Sequence, residues 1–155
     1  MTYEQYKHDR QEQFNKLPIF YAFSDKQFEE QMQKRGLTIA DTDKIYRLGN
    51  SGGFYLKSDA QVVKDFFEAS DKLDELMKDY DFAFGAFYYE MGNHEYHINW
   101  QADYDVCSCF GHVEFSETYD LVDYFNQLDW SRQTRKAYLD AQKKFYKDAD
   151  EKGWY

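Results

Sequence analysis

The stretch Ser58-Asp59-Ala60-Gln61-Val62-Val63-Lys64-Asp65-Phe66-Phe67-Glu68-Ala69-Ser70-Asp71-Lys72-Leu73-Asp74-Glu75-Leu76-Met77-Lys78-Asp79-Tyr80 carries the clearest periodicity in the chain. Val62, Phe66, Ala69, Leu73, Leu76 and Tyr80 recur at spacings of 4, 3, 4, 3 and 4, which predicts one apolar stripe along a helix of about five turns. Asp65, Glu68, Asp71, Asp74, Glu75 and Asp79 fall on the opposite side, with Lys64, Lys72 and Lys78 between them. Ser58-x-x-Gln61 reads as the capping box that opens the helix. Such a helix must cover its stripe with other elements, and the sequence on either side supplies them.

Upstream, Thr2-x-x-Gln5 predicts a capped helix through about Lys16, ended by the only proline, Pro18. An extended run follows at Ile19–Phe23, and Ser24-x-x-Gln27 caps a second helix carrying Phe28 and Met32 that stops at Gly36. Ile45–Leu48 and Phe54–Lys57 flank Gly49-Asn50-Ser51-Gly52-Gly53 and read as a β-hairpin. Downstream, residues 82–100 are aromatic and mixed in period, with a helical turn at Glu90–His97 as one option. Asp105–Phe110 reads as a strand that continues past Gly111 into Val113-Glu114-Phe115. Ser116 or Thr118 then caps a short helix, and Ser131 opens a last amphipathic helix to about Asp150. The expected fold is α+β: a small antiparallel sheet packed against several amphipathic helices, in a single domain over residues 1–155.

Aromatic residues make up 21% of the chain (Tyr 15, Phe 14, Trp 3), so its core must be built largely from rings. Disordered chains lack such rings, and each buried tyrosine must find a partner for its hydroxyl. No apolar run is long enough to span a bilayer, and the polar start Met1-Thr2-Tyr3-Glu4 does not read as a signal peptide. With only Cys107 and Cys109, a reducing, cytoplasmic location is expected.

The net charge of −10 is unevenly distributed. Between Lys78 and Arg132 there is no Lys or Arg, whereas that segment holds eleven of the 29 acids, three of the four histidines and both cysteines. Glu90, His94 and His97 lie at i, i+4 and i+7 and share a face if the segment is helical. Cys107 and Cys109, two apart, share a face if theirs is a strand. Imidazole and thiolate are the ligands zinc prefers, so His94, His97, Cys107 and Cys109 are a candidate structural Zn²⁺ site, with Glu90 or His112 in reserve. The spacing matches no standard zinc ribbon, and two buried cysteines beside ordinary histidines is the competing reading.

The acids Asp103, Asp105, Glu114, Glu117, Asp120 and Asp123, interleaved with aromatics, are a candidate partner-binding surface. Carboxylates at irregular spacing imitate the phosphate pattern of nucleic acid and suit a basic groove built for it. The expected partner is a basic nucleic-acid-binding protein, with no membrane and no direct nucleic-acid binding by this chain. Catalytic motifs are missing: the glycine loop lacks the Lys-Ser/Thr of a P-loop, and there is no Gly-x-Ser-x-Gly elbow.

Glu4-Gln5-Tyr6-Lys7, Gln13–Ser24, Gln27-Phe28-Glu29-Glu30, Asp43-Lys44-Ile45-Tyr46 with the glycine loop, and Phe87-Tyr88-Tyr89-Glu90 leading to Asn93-His94-Glu95-Tyr96 carry a resemblance. Over residues 4–97 the chain resembles a family of small acidic proteins of unassigned function from phages and conjugative elements of Gram-positive bacteria. In that family a cysteine often follows Asn-His-Glu-Tyr, where this chain has His97. The resemblance implies a counter-defence role, including anti-CRISPR inhibition of Cas9, whose nucleic-acid channels are basic. The expected function is therefore a non-enzymatic inhibitor acting through an acidic surface braced by zinc. A metal-dependent enzyme and a self-associating accessory protein of a mobile element are the alternatives.

Overall fold

The computed structural model describes residues 1–69 and 71–155, the side chain of Asp71 excepted. The architecture is α+β, as expected from the sequence. Backbone contacts divide it into two compact units, Arg10–Ser70 and Met1–Asp9 with Asp71–Tyr155. Helix α1 (Tyr3–Asn15) contributes residues to both. Its predicted capping box is present, with the Gln5 amide donating to Thr2 Oγ1 (3.1 Å) and the Thr2 amide to Gln5 Oε1 (2.8 Å).

In the smaller unit β1 (Phe20–Tyr21), β2 (Ile45–Leu48) and β3 (Gly53–Leu56) form an antiparallel sheet in the order β1-β3-β2. The predicted hairpin joins β2 to β3, with Tyr46 opposite Tyr55 and Leu48 opposite Gly53. Gly52 sits at φ +79°, and a Cβ there would meet the Phe23 ring at 2.4 Å, so only glycine fits this turn. Helix α2 (Asp25–Lys34), capped by Ser24, places Phe28 and Met32 against Phe20, Ile45 and Phe54. Helix α3 (Ala60–Glu68) completes the unit.

The long helix expected over residues 58–80 is instead three elements: α3, α4 (Asp71–Leu76) and the start of α5 (Tyr80–Asn93). Asp79 is the reason at the far end: its carboxylate accepts the Phe82 amide (2.8 Å) and starts a new helix rather than extending the old one. The stripe is also displaced by one residue, since Val63 is 2% exposed and Val62 54%. Nor does Ser58 cap α3; a short 3₁₀ turn at Lys57–Asp59 precedes it, and the Gln61 amide bonds Asp65 instead. Ser70 and the Asp71 side chain, both part of that expected helix, lie outside the described residues.

The larger unit is organised by α5 and α8 (Arg132–Lys152), the latter capped by Ser131 as expected. Ala83, Ala86, Ala137, Ala141 and Ala149, all fully buried on these two helices, leave room for large rings. Phe87 lies 4.9 Å from Tyr138, 5.0 Å from Trp130 and 5.1 Å from Phe110. Two matching clamps, eight residues apart, tie the helices at their edge. Tyr80 donates to Asp140 (2.6 Å), which also receives Lys136, and Tyr88 donates to Asp148, which also receives Lys144. Both pairs rise together along the sequence, so α5 and α8 run parallel.

The clamps give a pH dependence with a definite sign. Hydrogen bonds from Lys136 and Tyr80 hold the Asp140 carboxyl below its ordinary value, and those from Lys144 and Tyr88 do the same for Asp148. A depressed carboxylate contributes stability that is present above the unfolded-state pKa of about 3.9 and is lost as pH falls through the folded value. Asp140→Asn/Asp148→Asn is therefore expected to be less stable than the parent at neutral pH, with the gap closing below about pH 4. Denaturant titrations of both proteins across that range measure it, and a constant gap would refute the assignment.

Helix α6 (Ala102–Ser108) and helix α7 (Leu121–Gln127) close the unit. The strand expected at Asp105–Phe110 is α6, and Val113–Phe115 forms no strand: the Glu114 amide donates to Gln127 Oε1 (2.8 Å). Asp120, not Ser116 or Thr118, caps α7 in a reciprocal box with Asp123. Among the described residues, no helix is long and apolar enough to cross a membrane.

Candidate metal centre

The centre is built on the last turn of α5. Glu90 is 3% exposed and His94, the C-cap residue, lies one turn further on the same face. Cys109, the C-cap of α6, approaches from the other side. Glu90 Oε2 lies 3.5 Å from Cys109 Sγ and 3.6 Å from His94 Nε2, and Cys109 Sγ lies 3.5 Å from His94 Nε2. Three different ligand types thus form a nearly equilateral triangle.

The other carboxylate oxygen is anchored. Glu90 Oε1 accepts the Tyr3 hydroxyl at 2.6 Å and the Lys7 ammonium at 3.0 Å, both from α1, where an i, i+4 spacing puts them on one face. Asn93 Nδ2 donates to Oε2 at 3.3 Å. Burial pushes the Glu90 carboxyl up, but the hydrogen bonds from Tyr3, Lys7 and Asn93 outweigh it and hold the group below its ordinary value. An ionised, oriented carboxylate is the result. Burial, reinforced by the charge of Glu90, pushes the Cys109 thiol up to about 12, so at neutral pH it is a protonated donor to Glu90. It is no activated nucleophile as it stands.

Of the four residues expected to hold zinc, His94 and Cys109 come together, and Glu90 joins them from reserve. His97 and Cys107 do not. Helix α5 ends at Asn93, and Glu95 at φ +49° turns the chain, with the Tyr96 amide closing back on the Met91 carbonyl (3.0 Å). His97 is carried to the C-terminal segment, where its Nε2 lies 3.1 Å from the Trp154 carbonyl and its ring packs on Phe145. Cys107 is fully buried in the aromatic core, and burial pushes its thiol far up. The cysteines share a face only in a strand; on α6, residues i and i+2 point to nearly opposite sides. His112 lies on the surface beside Gly111, lining a cavity of about 770 Å³ with Leu128 and Trp130.

The acids expected to bind a partner are also divided. Asp103 accepts the hydroxyls of Tyr96 and Tyr138 (2.6 Å to the latter), and Asp105 accepts the Asn99 amide (2.9 Å). Asp120 and Asp123 cap α7, while Glu114 and Glu117 are exposed. The helping residues that sequence reasoning missed are Tyr3 and Lys7, more than 80 positions from Glu90; their only signal was an unexplained polar i, i+4 pair on α1. No curated protein and no solved structure matches the chain. The family match reaches well past residue 97, where the sequence resemblance stops, and it assigns no activity: the chain belongs to a family of unknown function, DUF7659, whose model matches residues 2–147.

Proposed function

We propose that this protein is a non-catalytic binding protein whose larger unit is braced by a zinc ion held by Glu90, His94 and Cys109, with a water completing its four-coordinate shell. One observation carries the metal assignment. A tetrahedral zinc with arms of about 2.0–2.3 Å has ligand–ligand edges of about 3.3–3.6 Å, and the three ligand atoms here stand 3.5, 3.5 and 3.6 Å apart. Tyr3 and Lys7 supply the outer hydrogen bonds that orient a ligating carboxylate. Because Glu90 lies on α5 and Cys109 ends α6, an ion there ties the two helices together.

The partner this reading favours is a basic nucleic-acid-binding protein, since the segment around the site carries acids and no Lys or Arg. A defence nuclease of the Cas9 type is a member of that class, and inhibition of one is the biological role the sequence resemblance implies.

Elemental analysis of protein purified without chelator, paired with Cys109→Ser and Cys107→Ser variants, tests the brace. About one zinc per chain is expected, lost in Cys109→Ser and kept in Cys107→Ser. Zinc added to about a hundredfold over its Kd is expected to stabilise the metal-free parent by about 2.7 kcal/mol. Absence of zinc in the parent, or equal loss in both variants, refutes the site. Chelation that abolishes a catalytic turnover while leaving the fold intact would replace the structural role with the enzymatic one.

A further inference from the structure

Asp103 and Asp105 accept hydrogen bonds from Tyr96, Tyr138 and Asn99, and Asp120 and Asp123 are tied up in the cap of α7; beside the exposed Glu114 and Glu117 the surface carries a run of rings. Trp100, 77% exposed, meets Phe115 edge-on at 6.0 Å, and Phe115, 40% exposed, meets Tyr104 at 5.3 Å. Tyr104 continues to the buried Tyr124 at 6.1 Å, and Tyr124 to Tyr119, 42% exposed, at 6.1 Å. The run is anchored at one ring and open to solvent at both ends. A contiguous exposed apolar feature of this kind marks an interaction surface more often than a solitary exposed ring does.

The geometry points to a docking surface for an arginine-rich segment of a protein partner. Elsewhere in the chain such rings already carry cations of the chain itself. Arg10 lies 3.7 Å above Phe66, Arg35 3.9 Å above Phe20, and Lys144 4.4 Å from the centre of Tyr88. Rings elsewhere in the base-free segment also carry cations from outside it, Lys7 over Tyr89 and Lys136 over Tyr80, but among the described residues none lies over Trp100, Tyr104, Phe115 or Tyr119. The rings therefore offer free faces to a planar, weakly hydrated guanidinium, which stacks on them better than an ammonium does. Glu114 and Glu117, exposed in the same segment, complement its charge. This surface rests on the binding-protein reading above and names its face and the chemistry of its partner.

The test is fluorescence anisotropy of a labelled arginine-rich peptide and a lysine-rich peptide of equal length, at near-physiological salt. The parent is expected to bind the arginine peptide several-fold more tightly than the lysine peptide. Trp100→Ala/Phe115→Ala is expected to weaken it about tenfold or more, and Glu114→Gln/Glu117→Gln to weaken it with a flatter salt dependence. Equal affinity for both peptides, no binding by the parent, or no change in the ring variant would each overturn the proposal. So would concentration-dependent self-association that the ring variant abolishes, since a second copy would then be the occupant. Zinc content of the ring variant, which keeps Glu90, His94 and Cys109, reads the brace separately. Peptide binding by a zinc-free parent removes the metal and keeps the surface, whereas zinc with no peptide binding does the reverse.

Discussion

Glu90→Leu is expected to destabilise the larger unit by about 1–3 kcal/mol, the cost of leaving a buried donor unsatisfied, and to abolish zinc binding. The substitution removes the acceptor of the Tyr3 hydroxyl, the Lys7 ammonium and the Asn93 amide at one stroke. Tyr3 is 5% exposed, so its orphaned hydroxyl bears a desolvation cost of about 1–3 kcal/mol. Lys7 is 43% exposed and recovers water, which limits its share. Urea titrations of the parent, Glu90→Leu, Tyr3→Phe and the double variant form a cycle that isolates the Tyr3–Glu90 coupling. If Tyr3→Phe costs the same in both backgrounds, the hydroxyl–carboxylate bond contributes nothing and Glu90 is not the hub described.

Phe87→Ala is expected to cost about 3–5 kcal/mol, the range for deleting a fully buried ring. Phe87 is 0% exposed and touches Phe110, Trp130 and Tyr138, so the cavity is lined by stiff rings that collapse poorly. Phe87→Leu keeps most of the volume and is expected to cost under half as much. Thermal and urea unfolding followed by near-ultraviolet circular dichroism measures both. Equal costs for Ala and Leu would mean the ring's shape, not its volume, is what α5 and α8 close on.

The segment without bases is both more and less than its charge. Its acids include Glu90 and Asp103, which are internal acceptors for Tyr3, Tyr96 and Tyr138. Together with the Tyr80–Asp140 and Tyr88–Asp148 clamps they give five of the fifteen tyrosines a carboxylate acceptor. A buried phenol needs an acceptor, and a carboxylate is the strongest one available. Part of the negative charge is therefore a feature of the core, and the surface that remains for a partner is smaller and more aromatic than the sequence suggested.

Local signals determined the ends of some elements, though not at Ser58 or at Ser116 and Thr118. Thr2-x-x-Gln5, Ser24 and Ser131 cap the helices they were expected to cap, and the glycine loop joins β2 to β3, because these bonds close within a few residues and need no partner from elsewhere. The composition likewise required an aromatic core, and the Glu90–His94 pair followed from helical spacing alone. The sequence pattern misleads where tertiary packing overrides it. Asp105–Phe110 reads as a strand, whereas the segment forms α6, packed against the rings around Phe110 and Tyr138, with one thiol in the core and the other beside Glu90. The pattern also misleads for the stripe from Val62 to Tyr80, which Asp79 breaks by capping, and for His97, which the turn at Glu95 removes from the site. Tyr3 and Lys7 reach Glu90 across more than 80 residues, and no periodicity encodes a contact between elements that only the folded core brings together.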